Sequence, residues 1–157
     1  MALPKSSRSF NISVLAIVLM PCLLLIAAGC GDGKGKRIPV SGVVTVQGQP
    51  LAHGSVTFMP VNKGDGFRAG GGSLNENGEF QISSFTPNDG LLVGKHTVMV
   101  SGIEPLSETG QRWHAPKKYA NLNESGLVVE ISSDTDKLTF DLTWDGSKHD
   151  KPFVEKL

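Results

Sequence analysis

Four histidines, His53, His96, His114 and His149, are the side chains of this chain best suited to hold a metal or move a proton. None opens a His-x-x-Glu or His-Glu-x-x-His pattern, the spacing that sets two ligands on one helical face, so a metal centre of that kind is not expected. His96 falls in an alternating apolar stretch and reads as a core or edge histidine. Asp134 and Asp136 stand two apart in a polar turn. Calcium takes six to eight oxygens, and no twelve-residue loop ending in glutamate follows them. Gly70-Gly71-Gly72 lacks the Lys-Ser/Thr end and the following helix of a phosphate cradle, which leaves a kinked edge strand or bulge. A Gly-x-Ser-x-Gly elbow is also missing. Neither a catalytic set nor a cofactor is expected.

The one cysteine with a chemical role in view is Cys30, and its setting defines that role. Lys5 and Arg8 precede an apolar run from Ile12 to Ala28, which ends in the small residues Ala27-Ala28-Gly29. Positive, apolar and small-residue zones in that order form a secretory signal peptide, residues 1–29. Ile26-Ala27-Ala28-Gly29-Cys30-Gly31 resembles the lipobox of bacterial lipoproteins, departing from it only where Ala27 replaces the commoner leucine. The resemblance implies cleavage before Cys30, a diacylglyceryl group on its thiol and acylation of the new amine, a palmitate-bearing anchor. The alternative is an uncleaved helix, since 17 apolar-rich residues approach the roughly 20 that span a bilayer. Gly31 is not the aspartate that retains enteric lipoproteins at the inner membrane, which favours the outer membrane or the cell surface.

Composition excludes other classes. The 157 residues carry 15 basic and 15 acidic side chains, so no basic face is available for nucleic acid. Two cysteines cannot build a disulfide scaffold; Cys22 leaves with the signal and Cys30 carries lipid. Residues 30–37, with glycines and Lys34, Lys36 and Arg37, read as a lipidated tether whose cations either touch anionic head groups or are merely solvated.

From Ile38 onward apolar residues recur with period two. Val40, Val44 and Val46 share a face, as do Val56 and Phe58, Phe80 and Ile82, Val98 and Val100, Leu127, Val129 and Ile131, and Leu138, Phe140 and Leu142. With a weaker segment around Arg68–Leu74 these make about seven strands, and the expected fold is an all-β sandwich over residues 38–143. Residues 104–124 form a long connection holding Arg112, Trp113, His114, Lys117, Lys118 and Tyr119. Trp113 and Tyr119 are either a ligand-binding loop or a cap over an open end of the sandwich, and Trp113, Tyr119 or Trp144 is the platform that would stack on a sugar face. Residues 144–157 form a C-terminal tail, frayed or paired as an edge segment.

Val40-Ser41-Gly42-Val43-Val44-Thr45-Val46, Gly48-Gln49-Pro50-Leu51-Ala52, Asn75-Glu76-Asn77-Gly78-Glu79-Phe80 and Gly94-Lys95-His96-Thr97-Val98-Met99-Val100 resemble carboxypeptidase regulatory-like domains. The resemblance spans roughly residues 38–102 and extends to about 143 through Lys118-Tyr119-Ala120-Asn121 and Ser125-Gly126-Leu127. It implies a seven-stranded, transthyretin-like Greek-key sandwich and no peptidase activity, because the module lies outside the family's catalytic domain. The Tyr-Arg-Gly-Ser ending of transthyretin-like hydrolases is missing. The expected function is therefore a membrane-anchored, non-enzymatic envelope module that binds a protein or, alternatively, a glycan.

Overall fold

Alternation of apolar and polar residues turns into strands at each of the expected positions. The computed structural model describes residues 35–157 apart from 63, 65, 66, 134, 136, 145, 147 and 148, so the signal segment, Cys30, Asp134 and Asp136 lie outside the described residues. The strands are β1 (Arg37–Ile38), β2 (Ser41–Val46), β3 (Gln49–Pro50), β4 (Ser55–Pro60), β5 (Gly70–Ser73), β6 (Glu79–Gln81) and β7 (Leu91–Leu92). They continue as β8 (Gly94–Ser101), β9 (Ile103–Ser107), β10 (Gly110–Trp113), β11 (Leu127–Ile131), β12 (Leu138–Leu142) and β13 (Phe153–Lys156). A 3-10 turn spans Lys117–Ala120.

One sheet runs β11-β8-β4-β5, antiparallel throughout. In the other, β2 is central: β12 lies parallel along one edge, and β3 and β6 share the opposite edge. The sheets meet through side chains that the period-two pattern sends inward. Val56 and Phe58 of β4 and Val98 and Val100 of β8 face Val44 of β2 and Leu142 of β12, and all six are fully buried. The Phe58 ring lies 6.0 Å from Phe80 and 6.1 Å from Phe140, which belong to the opposing sheet. Truncating such a buried phenylalanine to alanine costs about 3–5 kcal/mol. The exposed Lys137–Glu79 ion pair contributes little by comparison, because water screens it.

The Gly70-Gly71-Gly72 triad follows from close packing. A Cβ at Gly72 would stand 2.3 Å from the Gln81 carbonyl oxygen, and one at Gly70 would stand 2.4 Å from Leu91 Cδ2. β5 is an edge strand of its sheet, and Gly71 bridges to Ser83 just beyond β6, so the glycines let two backbones approach where the sheets converge.

One segment differs from expectation. The connection 104–124 contains strands: β9 and β10 form a hairpin, followed by the 3-10 turn. Of the two readings of the tail, its end takes the edge-segment one: β13 pairs antiparallel with β10 from Trp113↔Phe153 to Gly110↔Lys156 and forms the edge of a further, three-stranded sheet. Arg37, placed in the tether by sequence, belongs to β1 and pairs with Leu92. Its guanidinium lies over the Phe85 ring at 4.3 Å with Asp89 3.7 Å away, so it is part of the domain wall.

Candidate functional site

Backbone contacts between glycines bring the chemically capable residues together. Gly54 has φ +113°, and a Cβ there would stand 1.8 Å from the Ser101 carbonyl oxygen and 2.9 Å from Gly102 Cα. Only glycine tolerates that combination of dihedral and contact. Gly102 in turn lies against Ala115, and its carbonyl accepts the His114 N–H at 2.7 Å. The loop after β3, the junction of β8 with β9, and the end of β10 are thereby locked side by side. His53, Glu104 and His114 each sit one or two residues from these contacts.

Their metal-capable atoms all lie within 4.8 Å of one another. His114 Nε2 is 2.8 Å from Glu104 Oε2 and donates to it, and Arg112 Nη1 donates to the same oxygen at 3.0 Å. The His53 and His114 rings lie 4.7 Å apart, inclined by 30°. Along β10, Arg112 and His114 alternate with the buried Trp113, so both face Glu104 on the open side of the hairpin. His53 is exposed, and the other two are half-buried. The Glu104 carboxyl is held below its ordinary value, first by the His114 hydrogen bond and further by the nearby His53 and Arg112, so it is an anion at neutral pH.

Beside this cluster a groove of about 370 Å³ opens between the β2–β3 turn and the tail. Val46, Pro50, Leu51, Ala52, Trp144 and Pro152 line it, together with Gln47, Gln49, His53 and His114. Trp144 is half-buried, so part of its indole is accessible.

Trp113 and Tyr119, the two loop aromatics singled out in the sequence, lie elsewhere. Trp113 is 7% exposed and Tyr119 8%. The Trp113 indole stacks on Phe153 at 6.4 Å, and its Nε1 donates to Glu155 Oε2 at 2.9 Å. The Tyr119 hydroxyl accepts the Thr143 N–H at 3.3 Å and packs into the main core. Tyr119 caps the sandwich core, the second of the two sequence readings, whereas Trp113 is buried against β13, and neither presents an open ring face for a sugar. His96 is buried within β8, and His149 stacks on Phe153 at 3.6 Å.

Sequence reasoning did not find the His53–Glu104–His114 group, because its members come from three segments with no shared spacing. The local signals were Gly54, next to His53, and Gly102, two residues before Glu104. No family model matches this chain, and no curated protein and no solved structure matches it either.

Proposed function

We propose that this chain is a lipid-anchored, non-enzymatic module of the bacterial cell envelope whose β-sandwich presents the Trp144 groove to a protein partner. The observation carrying the interaction reading is the groove itself: six apolar or proline side chains, Val46, Pro50, Leu51, Ala52, Trp144 and Pro152, line one concave surface. Such a concave, mostly apolar site with a few polar groups at its edge is the form taken by recognition surfaces. The order β11-β8-β4-β5 against β12-β2-β6, with the chain crossing between sheets after β5 and again before β8, supports the transthyretin-like Greek-key reading. The lipobox-like Ile26–Gly31 segment supports the anchor, since two or three acyl chains at about 0.8 kcal/mol per buried methylene hold a protein at a bilayer. Gly31 favours the outer membrane or cell surface.

A glycan ligand is the second reading. It now rests on Trp144 rather than Trp113 or Tyr119, because Trp144 alone of the three lines the groove.

The test joins anchor and groove in one membrane preparation. Cys30→Ser is expected to abolish palmitate labelling, and labelling that persists would overturn the anchor. A photo-crosslinking residue at Gln49 should capture one envelope protein, whereas the same probe at Glu130 on the far edge should not. Trp144→Ala should remove the adduct. Sugar binding lost in Trp144→Ala without a protein adduct selects the glycan reading, and no adduct and no sugar binding reject the groove as a recognition site.

A further inference from the structure

We propose that His53, Glu104 and His114 form a binding site for a divalent first-row transition ion of the zinc class. Zinc binds imidazole nitrogen at about 2.0–2.1 Å and carboxylate oxygen at about 2.0–2.2 Å, which places tetrahedral ligand atoms roughly 3.4 Å apart. The three side chains here bracket that separation. His114 Nε2 and Glu104 Oε2 are 2.8 Å apart, and no pair in the group exceeds 4.8 Å. Closing on an ion needs a small outward shift of the first pair and a rotation of His53, which is exposed.

The donor set selects the ion. Two imidazoles with one carboxylate suit zinc, copper or nickel, whereas calcium and magnesium need more oxygen ligands than the group offers. The carboxylate is already ionised, so it presents charge to a cation. Binding takes the His114 ring in its Nδ1–H tautomer: the proton that Nε2 shares with Glu104 leaves to solvent, Nδ1 takes one up in exchange, and the freed Nε2 lone pair takes the ion. Arg112, 3.0 Å from Glu104, then becomes the outer partner that orients the carboxylate. Three protein ligands leave a fourth position facing outward, open to water or to a group on whatever occupies the adjoining groove.

The arrangement is also built rather than incidental. Gly54 and Gly102 fix the three segments at backbone level, so the ligands do not depend on surface side chains wandering together. The site stands apart from the lipid anchor and from the identity of a groove partner, and its test uses neither.

The untagged full chain in detergent is titrated with Co²⁺, whose visible d–d bands report coordination by nitrogen ligands, and with Zn²⁺ by calorimetry. One saturable equivalent is expected, with Zn²⁺ displacing Co²⁺ and raising the melting temperature. His53→Ala, at an exposed position where folding is not at risk, should weaken binding on the order of 100-fold, and Glu104→Gln similarly. His149→Ala should leave affinity unchanged. Binding without saturation, or binding that survives both His53→Ala and Glu104→Gln, would overturn the site. So would saturable binding lost in His149→Ala. Circular dichroism of each variant separates lost ligation from lost fold.

Discussion

At His96 the fold buries an imidazole to 1% exposure, with Nδ1 donating to the Gly94 carbonyl at 3.0 Å and Nε2 lacking a hydrogen-bond partner among the described residues. Burial disfavours the charged ring and lowers its pKa below 6.5; the Gly94 carbonyl and the more distant Glu130 oppose that only partly. The unfolded chain, whose histidine keeps the ordinary value, therefore binds a proton that the folded chain refuses. Stability is full above pH 6.5 and falls as pH drops through the interval between 6.5 and the lowered folded value. Denaturant midpoints measured at neutral pH and about one unit below 6.5 should show that loss, and His96→Leu should flatten it even if its absolute stability differs. An unchanged slope in His96→Leu would assign the acid sensitivity to other groups. The sequence read His96 as a core or edge histidine because it stands in phase with Val98 and Val100, and the structure buries it on that inward face. It could not place His53 beside His114, because that proximity is made by Gly54 and Gly102 in backbones far apart along the chain.

The β9–β10–β13 sheet is held at its centre by Glu155. That carboxylate accepts from Gln111 Nε2 at 3.1 Å and Trp113 Nε1 at 2.9 Å, and it pairs with Lys117. The Lys117 hydrogen bond first, then those of Trp113 and Gln111, draw its pKa from 4.5 to about 2. A lowered carboxylate value contributes stability that is whole above pH 4.5 and is lost as pH falls toward 2. Trp113 fluorescence should consequently report loosening of the tail over that interval before the main sandwich unfolds, and Glu155→Gln should loosen it already at neutral pH. A Trp113 signal that changes only with global unfolding would show that β13 is not a separate element. This sheet was hidden in the sequence for physical reasons. Pro105 interrupts the alternation of β9, and β13 draws its order from a partner about forty residues earlier, shown by the 42-position separation of Trp113 and Glu155. The strands β2, β4, β6, β8, β11 and β12 were legible because each carries its own alternating face, and burial of that face outweighs any local preference.

Across the whole molecule the division is the same: what a strand needs from its own residues can be read, and what it needs from a distant segment cannot. The all-β architecture was therefore visible, and the groove and the three-residue cluster were not. The parallel pairing of β2 with β12 has a consequence for the order of assembly. β2 is the first long strand made, yet its outer edge stays open until Leu138–Leu142 arrive, as the Thr45–Asp141 hydrogen bond across 96 positions makes plain. Closing so large a loop before any contact rewards it makes folding slow, in the millisecond-to-second class of non-local β-proteins. A chain ending at Ser133 should expose that edge, aggregate rather than fold, and be digested throughout by protease, whereas a chain ending at Gly146 should keep the sandwich and lose only β13. During synthesis the molecule is thus committed to remaining without its sandwich until residues 138–142 have emerged, so nearly a hundred residues after β2 wait as open chain for the partner that closes them.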